Sequence, residues 1–72
     1  MAEQIQAPLS ILRRKQVEAR TGLARSTIYG MVAEGKFPRP ISLGPRAVGW
    51  IEADVVRWLQ ERIAASATEA RP

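Results

Sequence analysis

The apolar positions between Leu12 and Ile63 keep two rhythms, and the changes between them divide the chain into elements. Over residues 25–34 the rhythm is helical. With Ile28 as reference, Ala24, Met31 and Val32 fall within about 40–60° of it at 100° per residue. Met31 and Val32 lie beyond Gly30, so the stripe crosses the glycine unbroken and predicts one helix through it. The stop is "EGKFP", where Gly35 caps the helix and Pro38 forbids its continuation. A shorter helix is predicted ahead of it, about 14–20, in "RKQVEART". Val17 is its main inward residue, backed by Leu12 and Leu23, and Gly22 suits a left-handed C-terminal cap.

The rhythm then changes. Pro38 and Pro40 keep the chain extended, Ile41 and Leu43 alternate with Ser42, and Val48 and Trp50 alternate with Gly49. With the turn signal "GPRA" between the two runs, this predicts a β-hairpin whose tip presents Arg46. Helical spacing returns in "ADVVRWLQERIAA". Glu52 and Asp54 suit its N-terminus, Val55, Leu59 and Ile63 recur at four-residue intervals, and Val56 and Trp58 widen the stripe. Arg57, Gln60, Glu61 and Arg62 face outward. Trp50 and Trp58 are expected in the core, where hairpin and last helix bury against each other.

Residues 1–8 lack periodicity and read as a flexible leader, residues 9–65 as one domain, and residues 66–72, "SATEARP", as a frayed tail. The expected class is therefore α+β and mainly α. Three helices form it, with a two-stranded hairpin between the second and third.

Composition narrows the chemistry. The chain has 72 residues and neither cysteine nor histidine, which removes disulfides, the usual zinc sites and catalysis by either side chain. Its acids form no pair flanking a pocket, and no phosphate-cradling glycine loop occurs. No enzyme, cofactor, metal or small-molecule substrate is expected. No apolar run approaches the roughly 18 residues of a membrane span. The start lacks the features of a signal peptide, so a soluble cytoplasmic protein is expected.

Charge is unevenly distributed. Residues 9–50 carry eight basic side chains against Glu18 and Glu34, a net +6, whereas the whole chain is +4. Such asymmetry suits a polyanion partner, although a solubilising surface would also use it. Two short helices joined by "TGLA" have the length and central glycine of a helix-turn-helix, and a hairpin directly after them would be a wing. Together, these features point to double-stranded DNA.

The stretch from Leu12 to Ala64 also resembles the AlpA-like family of phage and genomic-island regulators. The marks are "TGLARSTIY", "EGKFPRPI", "LGPRAVGW" and the spacing to "VVRWLQERIA". The resemblance implies a winged helix-turn-helix, related more distantly to MerR-type domains and small excisionases. It also implies a nucleoid-associated protein that binds DNA to activate or repress prophage genes or acts in excision. The family commonly has Ser where this chain has Ala24, an N-cap acceptor whose loss costs about 1 kcal/mol. Ser26 or Thr27 could substitute, which would start the helix later. The family also commonly has a long basic residue in place of Gly30.

The candidate DNA-binding residues are Arg14, Lys15, Arg25, Ser26, Thr27, Tyr29, Gly30, Lys36, Arg39 and Arg46. Ser26, Gly30 and Ala33 lie roughly 140–200° from Ile28, on a narrow face of small residues that permits close approach to a groove floor. Ser26 and Thr27 can donate and accept at base edges. Arg25 suits a phosphate, a guanine or a surface ion pair. Tyr29 either bonds a phosphate or lies half-buried against the first helix. Lys36, Arg39 and Arg46 suit phosphates or the minor groove. Arg13, Arg14 and Lys15 oppose the dipole of the first helix, a penalty that a phosphate would offset, or form a solvated basic run.

A second class, a protein-interaction module using the outer face of the last helix, fits the same fold. A sensor regulator with a long dimerisation helix is disfavoured by the short stretch after Ala65. Self-association or cooperative assembly on DNA is expected, because one recognition helix reads only a few base pairs.

Overall fold

The computed structural model describes residues 9–69. Its elements are β1 (Ile11–Leu12), α1 (Arg14–Thr21), α2 (Arg25–Ala33), β2 (Ile41–Gly44), β3 (Ala47–Ile51) and α3 (Glu52–Glu69). Three helices and an antiparallel sheet of order β1-β3-β2 make a small α+β domain, an arrangement compatible with a winged helix-turn-helix.

Both short helices end as their glycines require. Gly22 has φ 75°, and its N–H reaches the Glu18 carbonyl at 2.7 Å. After α2 the chain turns through Gly35, also at φ 75°. The Gly35 N–H bonds the Val32 carbonyl and the Lys36 N–H bonds that of Met31, the two crossed bonds of a Schellman cap. The α2 start corrects one expectation. Ala24 is the N-cap, extended and without a side-chain acceptor, and Arg25 already opens the helix. Ser26 and Thr27 thus lie inside it and do not delay it.

The sheet corrects another. β2 and β3 do lie between α2 and α3, but they are not a free two-stranded hairpin, because Ile11 and Leu12 pair with Ile51 and Trp50. Two residues are too few to show a period, so the spacing of apolar positions marks no strand there. On the other side of β3, Ile41 faces Gly49 and Ser42 faces Val48, with a register shift before Gly44. Gly49 is where the layers close in: a Cβ there would lie 3.1 Å from the Leu12 carbonyl oxygen and against the Ile11 side chain.

The core takes one buried side chain from nearly every part: Leu12, Val17, Ile28, Phe37, Trp50 and Val55. β2 contributes none, and Ile41 and Leu43 are exposed. The α3 stripe is buried only near its start. Val55 is fully buried and Leu59 partly so, but Ile63 is 67% exposed because the helix outruns the sheet and helices beneath it. α3 also continues through residues 66–69, into the segment expected to fray. The expected leader, residues 1–8, and residues 70–72 lie outside the described residues.

An ion pair fastens α1 to the start of the last helix. Arg20 meets the Glu52 carboxylate at 2.8 Å, tying α1 to the start of α3, and the Glu52 N–H bonds the Ser10 carbonyl. Hydrogen bonds from Arg20 and then Ser10 to the Glu52 carboxylate hold its pKa below the ordinary value.

Candidate nucleic-acid interface

The loop between α1 and α2 is only residues 22–24, and α2 follows it as a nine-residue helix held to the core by Ile28. Burying that one face leaves the opposite one in solvent. Arg25, Ser26, Thr27, Tyr29, Gly30 and Ala33 are all exposed. Among the described residues, Arg25 makes no ion pair, which leaves its five donors available. Nothing lies within 4 Å of where a Gly30 Cβ would stand, so packing does not require the bare position.

Tyr29 is 37% exposed, and its ring rests 6.0 Å from that of Trp50, tilted by 58°. Its ring therefore packs against β3. This contact ties the exposed helix to the sheet that carries the hairpin.

At the hairpin tip, Pro45 and Arg46 form the turn. Arg46 has φ 61°, the only non-glycine at positive φ among the described residues. An L-residue pays roughly 1–2 kcal/mol for this conformation, which glycine or asparagine adopts more readily. The Arg46 side chain is exposed and has no partner among the described residues.

The basic run at the start of α1 divides into different roles. The Arg13 N–H bonds Gln16 Oε1, supplying the helix with a capping partner from its first turn. Its guanidinium Nε donates to the Val48 carbonyl at 3.0 Å. Arg14 pairs with Glu18 one turn on, so its charge is already engaged. Lys15 is exposed and without a partner among the described residues.

Lys36 and Arg39 sit apart from this group. They line an open groove of about 1250 Å³ between the α2–β2 loop and α3, with a floor that includes Met31, Phe37 and Trp58. Arg57 and Arg62 line the same groove, as do Asp54 and Glu61. Reading α3 as a wheel puts those arginines outward but does not say that the loop lies beside them. Lys36 also approaches Glu34 at 3.5 Å, an exposed pair of little energetic weight.

Phe37 is the residue the sequence concealed, since it stands inside the "EGKFP" stop signal. It is 4% exposed, with Trp58 at 4.7 Å and Trp50 at 6.5 Å between ring centroids. Trp50 is fully buried as expected, whereas Trp58 is only partly so. A single large apolar residue two positions after a helix-capping glycine was the available signal.

The arrangement joins a small-sided exposed helix to a basic hairpin tip and a groove edged by cations. Hydroxyls and guanidinium groups there can donate to phosphate oxygens and to base edges.

Known proteins are similar to this sequence over most of its length. A family model described as prophage CP4-57 regulatory protein (AlpA) matches residues 10–63. The chain is 43% identical over 53 residues to uncharacterized protein ORF88 of Enterobacteria phage P4, a match covering 74% of this chain and 60% of that protein. It is 41% identical over 58 residues to the DNA-binding transcriptional activator AlpA of Escherichia coli (strain K12), covering 72% of this chain and 83% of the relative. With three-quarters of its length inside one family model and a curated member at this identity, the chain belongs to the AlpA family.

Proposed function

We propose that the protein is a sequence-specific DNA-binding regulator of a prophage or related mobile element, which acts on transcription, on recombination as an excisionase, or on both. α2 enters the major groove with Ser26, Thr27 and Gly30 toward the bases. Arg25, Tyr29 and Lys15 meet the flanking phosphates, and Arg46 carries the wing to the backbone or adjacent minor groove. Arg14 contributes only if it leaves Glu18. The carrying observation is α2 itself: a nine-residue helix, three residues after its partner, with one face in the core and a small, polar opposite face free. The curated relative named as a DNA-binding activator supports the same reading.

Mobility shift on DNA upstream of its own gene or of a neighbouring integrase gene tests it. Binding there no tighter than to random duplex at physiological salt would remove the claim of specificity. The free protein is expected to be monomeric or weakly dimeric and to multiply its contacts on DNA.

A second reading, a protein-interaction module, draws on the exposure of Val56 and Ile63 along α3. Activity that survives alanine at Arg25, Thr27 and Arg46 but not polar substitution of Val56 and Ile63 would favour it.

A further inference from the structure

The α2–β2 loop is gripped from two sides by one repeated device. The Trp50 indole N–H donates to the Pro38 carbonyl at 2.8 Å, and the Trp58 indole N–H donates to the Lys36 carbonyl at 2.8 Å. Phe37 lies between those two carbonyls in sequence and contacts both indoles edge-on. β3 and α3 therefore fix the peptide units on either side of the Phe37–Pro38 bond, in a loop that has no secondary structure of its own. Beside this staple stand Lys36 and Arg39, both exposed, and Arg39 has no partner among the described residues.

We infer that Trp58 is a positioning residue for nucleic-acid binding: by holding the Lys36 carbonyl from α3 it sets the loop that presents Lys36 and Arg39 to the phosphate backbone. This rests on the DNA-binding reading above. A flexible loop would spend part of its charge–phosphate attraction on becoming ordered, whereas a loop already fixed at Lys36 and Pro38 does not. The partial burial of Trp58 suits this role better than a packing role alone. Its N–H bonds a carbonyl at the exposed rim, while Val55 on the same helix supplies the fully buried contact.

The test is a double-mutant cycle in the full chain, read by fluorescence anisotropy with a labelled duplex from the DNA directly upstream of its own gene, across a potassium chloride series. Lys36→Ala with Arg39→Ala is expected to reduce the salt slope by about 2 if each meets one phosphate. Trp58→Phe keeps a ring against Phe37 and removes the donor together with one ring of the indole. It should weaken binding about 2- to 10-fold and make the slope shallower. In the Lys36→Ala/Arg39→Ala background the same change should weaken binding no further.

Equal weakening in both backgrounds overturns the inference, as does unchanged binding by Trp58→Phe or by the loop double variant. Each of those outcomes leaves DNA binding itself intact. A wild-type chain that fails to bind duplex overturns the functional reading instead. Should Trp58→Phe unfold, benzothienylalanine at position 58 retains the bicyclic ring, replaces N–H by sulfur and is read by the same criteria.

Discussion

Arg13 and Val48 stand 35 residues apart in sequence, yet the Arg13 guanidinium Nε donates to the Val48 carbonyl at 3.0 Å. The bond joins the residue that opens α1 to the strand that leads out of the hairpin tip. Val48 also pairs with Ser42 of β2, so the same stretch of β3 is held from both sides. Arg13→Ala should lower stability by about 1 kcal/mol or less, since the bond is exposed and water can replace it. Urea denaturation measures this, and amide exchange should quicken most at residues 47–49. An unchanged midpoint together with unchanged exchange would mean that the clamp carries no weight.

Glu52 gives the fold a pH dependence with a definite sign. Its carboxyl pKa is lowered in the folded state, first by the Arg20 hydrogen bond and then by that of Ser10. The unfolded chain therefore takes up the proton more readily. The associated stability is present above the ordinary value of 4.5 and is lost as pH falls through the folded pKa. Glu52→Gln should lower the thermal midpoint most at neutrality and flatten its decline below that pH, so that the two proteins converge in acid. Parallel curves for variant and wild type would sink this assignment.

Gly30 separates the needs of the fold from those of a partner. The space around its missing Cβ is open, so Gly30→Ala should stabilise the protein by about 1 kcal/mol, raising the thermal midpoint by several degrees. Gly30→Arg should also fold well but bind its DNA site more weakly, because the bare backbone is then what approaches the groove. Tighter binding by the arginine variant would show instead that a basic side chain at position 30 gains a contact with DNA.

Arg46 presents the opposite balance. Arg46→Gly relieves the left-handed strain at the hairpin tip and should raise stability by about 1 kcal/mol. It should weaken DNA binding and reduce the salt slope by about 1, the signature of one lost phosphate contact. A more stable protein with unaltered binding would remove Arg46 from the interface.

The order of elements was legible because each rests on local chemistry. Gly22 and Gly35 end helices through their own φ, and Pro38 forbids a helix whatever surrounds it. The 3.6-residue stripe through Ile28, Met31 and Val32 outweighed the single unfavourable Gly30, since burial along a helix face exceeds one residue's propensity. Candidate charges were legible as well, because exposed arginines and lysines follow from the same periodicity.

What the sequence alone determined, then, is the succession of two short helices, an extended hairpin region and a long helix, together with its basic first two-thirds. Tertiary structure alone decided how those pieces close. Ile11 and Leu12 became a strand only because β3 offered an unpaired edge. Phe37 became core because Trp50 and Trp58 converge on it from a strand and a helix far apart in sequence. Arg13 became a clamp and Arg14 an internal pair because partners stood within reach, which periodicity does not encode. The physical reason is common to all three. Helix caps, turns and stripes are set by neighbours a few residues away, whereas pairing edges, aromatic contacts and long-range hydrogen bonds depend on which surfaces remain unsatisfied once the chain has folded.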